Sequence, residues 1–202
     1  MIETIDKRTE SAQVFRVFAE IYKTPTLEIW KEITQNDLLP KLRDAVQELY
    51  QIKTTEWKDV QPDSYDQLIS SYMATIGKAA IPVESLYKPW TQDETCTLAF
   101  AREKGYLQGD SALHIRFILN EMQISIPSEY EGTPDHLAIL LELLAYFIEH
   151  APKSFTAEFI GDHFDWLDNF AFKLESNTGQ TFYLEITRVL IATMKAFRST
   201  YL

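Results

Sequence analysis

The sequence predicts an all-α protein, a single globular domain of about eight to ten helices. Three observations predict it: apolar residues recur at helical spacing along most of the 202 residues, strand signals are weak, and only 6 glycines and 8 prolines interrupt the pattern. Hydrophobic residues make up 46% of the chain, which is enough for a sizeable core. We therefore predict one domain over residues 1–202.

The first part of the chain contains four segments whose apolar residues recur at helical spacing. Each segment is preceded by a residue type that caps helices. Their predicted starts are, in order, Thr9 or Ser11, Thr26, Asn36 or Asp37, and Pro62–Asp63. Pro25 stops the first helix, and the fourth ends near Gly77. Residues 78–90 then break the pattern, because Pro82 and Pro89 discourage helix on both sides. Their large apolar side chains indicate an ordered, partly buried linker.

Helical spacing resumes after this linker. The predicted helices run from Asp93 to Lys104, from Asp110 or Ser111 to Met122, from Pro134 to about His150, from Ser154 through Phe170, and from about Phe182 to Phe197. The helix from Pro134 is apolar on nearly every side, so we predict that it lies at the centre of the fold.

The start of this central helix is its most informative part. Thr133 is the predicted N-cap and Pro134 the first helical residue, where a missing N–H costs nothing. Asp135 and His136 follow in the first turn. Adjacent helical residues point about 100° apart, which makes an acid–base pair between these two side chains poor. Capping and packing explain both residues as well as catalysis does.

Charge narrows the class of partner. The net charge is −11, and residues 128–168 contain nine acids and one base, Lys153. This balance argues against nucleic acid or anionic lipid and accommodates a cationic partner. The alternative is that the acidic segment is a solvated helical face.

The N-terminus, the single cysteine and the apolar runs of the sequence indicate a soluble cytoplasmic protein. The N-terminal residues lack the apolar core of a signal peptide, and Cys96 alone forms no internal disulfide. The longest apolar run, residues 137–148, is interrupted by Glu142 and is too short to span a bilayer, so we expect no stable membrane insertion.

Catalytic motifs are weak in this chain. It has no His-Glu-x-x-His, no Cys/His metal spacing and no glycine-rich phosphate loop, so we predict no metal and no cofactor. A metal- or nucleotide-dependent hydrolase would use Asp135, His136 and His163. For His163 the position between Phe159 and Trp166 favours a helix interface instead. A structural helical subunit is the third alternative.

Glu142 is an oddity, since leucines flank it on both sides. A buried carboxylate needs hydrogen bonds or a positive partner. Either Glu142 forms an internal salt bridge or reaches the surface, or it is a carboxylate available to a cationic ligand.

Three blocks resemble the TorD/DmsD/NarJ family of redox-enzyme maturation chaperones. The first is Tyr72-Met73-Ala74-Thr75-Ile76-Gly77 with Ile81-Pro82-Val83-Glu84-Ser85-Leu86-Tyr87. The second is Thr133-Pro134-Asp135-His136-Leu137 with Leu141-Glu142-Leu143-Leu144-Ala145-Tyr146, and its Pro-Asp-His is the most specific. The third is His163-Phe164-Asp165-Trp166-Leu167 with Phe182-Tyr183. Met73 to Ile76 and Leu140 depart from the family pattern.

This resemblance implies a TorD-like helical fold and a non-catalytic chaperone. Its partner would be a molybdopterin oxidoreductase catalytic subunit, held in the cytoplasm by its N-terminal, often twin-arginine, leader until the cofactor is inserted. Some relatives form domain-swapped dimers, so a monomer or such a dimer is implied. We expect Asp135 and His136 to form a polar rim with Glu142 beneath, unless they only brace the helix start. The adjoining peptide-binding residues are Tyr72, Pro82, Glu84, Ser85, Leu86, Tyr87, Trp90 and Pro134.

Overall fold

Helices build the fold, as predicted. The computed structural model describes residues 2–52, 61–179 and 181–202. Within these ranges the helices are α1 (Ile2–Tyr22), α2 (Leu27–Gln35), α3 (Leu38–Tyr50), α4 (Tyr65–Ala74), α5 (Asp110–Glu121), α6 (Leu137–His150), α7 (Lys153–His163), α8 (Leu167–Thr178) and α9 (Phe182–Tyr201). The all-α class is confirmed. The predicted domain over residues 1–202 includes residues 1, 53–60 and 180, which lie outside the described residues.

Helix α6 forms the centre of the molecule. Its side chains are buried around most of its circumference, and α1 packs along it more extensively than any other helix described. Helix α1 contributes Phe15, Phe18 and Tyr22, all fully buried. The Tyr22 hydroxyl meets the Thr187 hydroxyl of α9 at 2.7 Å, which satisfies both polar groups inside the core. None of the helices in the described ranges has an apolar stretch long enough to cross a bilayer.

Several predicted helix starts are correct and others are wrong. Thr26 accepts a hydrogen bond from the Ile29 N–H at 3.3 Å and caps α2. Helix α1 begins at Ile2, well before Thr9 or Ser11. Helix α6 begins at Leu137, so Thr133 is not its N-cap and Pro134 is not its first residue.

The predicted helix from Asp93 to Lys104 is absent; these residues form turns joined by irregular segments. The Asp93 carboxylate accepts hydrogen bonds from the Thr95 N–H and hydroxyl, at 2.9 and 2.7 Å. Such a local bond offers the backbone an alternative to helix. The Thr91 N–H also donates to the Ala101 carbonyl at 2.9 Å, which closes the segment into a loop.

The predicted helix from Ser154 through Phe170 is two helices, α7 and α8. Helix α7 ends at His163 and α8 begins at Leu167. The Trp166 indole N–H donates to the His163 carbonyl at 2.8 Å. That bond satisfies a carbonyl at the end of α7, where no helical partner remains. The break turns Trp166 inward, where its ring stacks on Tyr87 with centroids 5.0 Å apart.

Candidate functional site

The candidate site lies where residues 82–86 cross the start of α6. The Leu137 N–H donates to the Pro82 carbonyl at 2.8 Å, and the Glu84 N–H donates to the Asp135 carbonyl at 3.1 Å. These bonds flank an isolated antiparallel bridge between Val83 and His136. Because this pairing holds His136 in an extended conformation, α6 starts three residues later than predicted.

Asp135 anchors the crossing from inside. It is fully buried, and one carboxylate oxygen, Oδ2, accepts hydrogen bonds from the Ser85 N–H at 2.7 Å and from the Ser85 hydroxyl. The second oxygen, Oδ1, has no hydrogen-bond partner among the described residues. Burial raises the pKa of Asp135, and the bonds from Ser85 oppose this effect. Asp135 therefore holds the 3₁₀ turn Glu84–Leu86 against α6.

His136 caps α6. Its Nδ1 atom accepts a hydrogen bond from the Ala138 N–H at 3.2 Å, so the ring proton sits on Nε2. The ring lies against Tyr130, with centroids 4.9 Å apart. Burial lowers the pKa of His136 to about 4, which keeps the ring neutral at pH 7.

Acid should therefore destabilise the protein through His136. A histidine whose folded pKa lies below its unfolded value near 6.5 stabilises the fold above that value, and the stabilisation is lost as the pH falls from about 6.5 to 4. We expect a loss of up to about 3 kcal/mol over this window. His136→Asn keeps a capping oxygen without a titrating ring, so its urea midpoint should fall much less between pH 7 and pH 4. Equal pH dependence in both proteins would contradict this assignment.

Asp135 and His136 do not form the predicted polar rim. Asp135 and His136 are both buried, and each is engaged with a different partner. Glu142 does not lie beneath them as a free carboxylate. Its side chain is 42% exposed and its Oε1 atom lies 2.5 Å from the Lys23 ammonium, so the salt-bridge alternative is correct.

A buried chain of polar groups that the sequence did not reveal adjoins this crossing. Glu84 is 0% exposed, and its Oε2 atom accepts a hydrogen bond from His163 Nδ1 at 2.8 Å. His163 Nε2 in turn lies 2.9 Å from His114 Nδ1. With the His163 proton on Nδ1, His114 donates to Nε2. This series of hydrogen bonds thus connects α5, α7 and the 3₁₀ turn.

Lys88 provides the positive charge at this point. Its ammonium lies 2.9 Å from Glu84 Oε1 and 2.8 Å from Asp165 Oδ1, and it also donates to the Asp162 carbonyl. Burial alone would lower the pKa of Lys88, but the charges of Glu84 and Asp165 outweigh it and raise that pKa. Lys88 is therefore protonated at pH 7.

These groups line an open cleft of about 360 Å³ between the start of α5 and the end of α7. The ionisable residues on its walls are Glu84, Lys88, Asp110, His114, Asp162, His163 and Asp165. Four of these residues are acidic and one is a lysine, so the formal net charge of the lining is −3 without the histidines. The cleft therefore favours a cationic ligand.

A family comparison agrees with the sequence motifs. The model described as the nitrate reductase delta subunit matches residues 35–177, well over half of the chain. The chain belongs to this family.

Two curated members of the wider chaperone group are similar to parts of the chain. The "Probable Tat proofreading chaperone DmsD" of Haemophilus influenzae is 29% identical over 91 residues, which are 45% of this chain and 44% of that protein. The "Chaperone protein TorD" of Shewanella piezotolerans is 25% identical over 122 residues, which are 60% of this chain and 54% of that protein. The matched parts thus span about half the length of each relative. The resemblance to the TorD/DmsD/NarJ family is confirmed.

The other motif residues of this family member occupy two locations. Pro82, Ser85, Tyr87 and Pro134 are buried at the crossing, and Leu86 is half-buried there. Tyr72 instead belongs to the contact between α4 and α9, since its ring packs on Tyr183 with centroids 6.0 Å apart. The structure therefore does not bring all the predicted peptide-binding residues to one surface.

Trp90 links the crossing to α5. Its carbonyl accepts a hydrogen bond from the Asp110 N–H at 2.8 Å. Gly109 permits this approach, because a Cβ atom at that position would lie 2.4 Å from the Trp90 oxygen. Asp110, the first residue of α5, reaches the cleft from this junction.

The three residues of the hydrolase alternative each have a different structural partner in this family member. Asp135 is bonded to Ser85, His136 caps α6, and His163 bonds to Glu84 and His114. Within the described ranges no group of three or more His, Cys, Asp or Glu side chains is arranged to hold a metal ion.

Proposed function

We propose that this protein is a non-catalytic cytoplasmic chaperone that binds the N-terminal leader of a molybdopterin oxidoreductase subunit. It holds the apo-subunit until the cofactor is inserted and the subunit is assembled or exported. The family match and the names of the two relatives support this class of partner. The alternative of a hydrolase is less favoured, because its three residues have separate structural partners.

The observation that carries the proposal is the acidic cleft beside the crossing. A leader of this type combines a cationic head with an apolar stretch. The cleft offers an excess of three negative charges, and the neighbouring segment offers apolar surface on Leu86 and Trp90, both half-buried. Charge complementarity of this kind raises the association rate and selects the partner.

Calorimetry with leader peptides tests the proposal. We expect a leader from a molybdoenzyme encoded next to this gene to bind in low salt, and to bind more weakly as the ionic strength rises. The same peptide with its arginines replaced by glutamine is the control and should bind much more weakly. Absence of binding by every such leader in low salt would overturn the proposal.

A charge-removal variant tests the cleft itself. Asp162 is exposed and lines the cleft, and Lys88 contacts its backbone carbonyl, which Asp162→Asn leaves in place. We expect this variant to weaken leader binding about three- to tenfold, mainly through the association rate. The matched control is Asp168→Asn, which removes an exposed carboxylate paired with Lys195 outside the cleft. Equal effects of the two variants would mean that only the overall charge matters.

A further inference from the structure

The cleft already contains a cation, the ammonium of Lys88. This side chain is only 15% exposed, and its Nζ atom contacts Glu84, Asp165 and the Asp162 carbonyl from two sides of the cleft. Lys88 thus occupies the position that a bound positive side chain would take.

Glu84 is the buried group that holds a positive charge at this position. The side chain is fully buried and lines the cleft. Its Oε1 atom lies 2.9 Å from the Lys88 ammonium, which is its charged partner. Because a buried carboxylate oxygen is costly to leave without a donor, a group that displaces the ammonium must replace this contact.

A guanidinium would satisfy these groups better than the lysine does. It presents five donors in a planar fork that matches carboxylate geometry, whereas an ammonium is a compact point charge. The carboxylates of Asp162 and Asp165 are exposed at the edge of the cleft, so an entering guanidinium can reach them. The flexible stem of Lys88 allows its ammonium to leave for solvent.

We propose that Lys88 is an internal occupant of the cleft, which an arginine side chain of the leader peptide displaces on binding. This inference rests on the proposed function and adds a form of regulation to the same site. The closed form with Lys88 inside is the resting state. Only the fraction of molecules whose Lys88 has left the cleft binds the peptide, so the apparent affinity is reduced by that fraction.

Removal of the lysine should therefore strengthen binding. A minor open state populated at 10% or less corresponds to a gain in affinity of about tenfold or more for Lys88→Met. Lys88→Arg restores a cation in the cleft and should bind no more tightly than the unmodified protein. Lys195→Met removes the same charge next to exposed Asp168 and should change affinity less than about twofold.

Calorimetry with an arginine-containing leader peptide measures these affinities, and circular dichroism confirms that each variant is folded. Lys88→Gln serves as a second variant, since it replaces the ammonium with a neutral amide that keeps a donor on this side chain. Tightening by the Met or Gln variant, and by neither control, supports the proposal. Folded variants that bind no more tightly than Lys195→Met overturn it and leave the proposed function intact.

A second measurement needs no leader. Arginine amide is added to each protein while the imidazole signals of His114 and His163 are followed by NMR, because both rings line the cleft. We expect these signals to shift in Lys88→Met at concentrations that leave the unmodified protein unchanged. Such shifts without any leader binding would support displacement and overturn the proposed function. No shift in either protein would overturn displacement.

Discussion

Glu84→Ala should lower the free energy of unfolding by about 3 kcal/mol. Glu84 is fully buried between Lys88 and His163, and removing one partner of a buried ion pair leaves an uncompensated charge. The expected value lies at the lower end of the usual range for such variants, because Lys88 keeps its contact with Asp165. Urea unfolding at pH 7 measures the change.

Glu142→Ala is the matched control for this variant. Glu142 pairs with Lys23 in a similar ion pair, but its side chain is 42% exposed, so its removal should cost about 1 kcal/mol or less. Glu84→Gln separates charge from hydrogen bonding, since it keeps an acceptor for His163 and should lie between the two alanine variants. A loss at Glu84 no larger than that at Glu142 would show that the cleft is fully solvated at Glu84.

Trp166→Ala should cost about 3–5 kcal/mol, the usual range for a buried tryptophan. Its ring is almost fully buried, stacks on Tyr87 and lies 5.7 Å from the Phe170 ring centroid. The variant also removes the indole donor to the His163 carbonyl, which leaves the end of α7 without this partner. We therefore expect His163 to lose its fixed position beside Glu84, with altered imidazole signals in NMR.

Two further variants test this reasoning. Trp166→Phe keeps an aromatic ring against Tyr87 but removes the donor, and it should cost about 1–2 kcal/mol. Phe172→Ala truncates an aromatic side chain of the next helix that is 72% exposed and should change stability by less than about 0.5 kcal/mol. If both tryptophan variants behave like Phe172→Ala, Trp166 does not hold the junction between α7 and α8.

Local signals in the sequence predicted most of the helices. Thr26 before α2 and the stripe that begins at Phe182 in α9 depend on neighbours within a few residues, which a single sequence displays. The segment from Asp93 to Lys104 has helical spacing, but the side-chain bonds of Asp93 and the pairing of Thr91 with Ala101 outweigh it.

The site depends on partners that are distant in the chain. The Pro-Asp-His motif drew attention to Asp135, yet its role depends on Ser85, 50 residues earlier. The contact between Glu84 and His163 spans 79 residues, and His114 matches no metal or catalytic motif. Periodicity carries no information about such pairs, so neither the polar chain nor the cleft was predicted from the residues alone.

The long spacing between these partners has a consequence for synthesis on the ribosome. Within the turn Glu84–Leu86, Ser85 bonds Asp135, which follows 50 residues later just before α6, and Glu84 bonds His163 of α7, which follows 79 residues later. Until Asp165 has left the exit tunnel, a nascent chain has neither a closed cleft nor the second carboxylate partner of the Lys88 ammonium. The cleft therefore closes only after the segment that contains Asp165 has been translated.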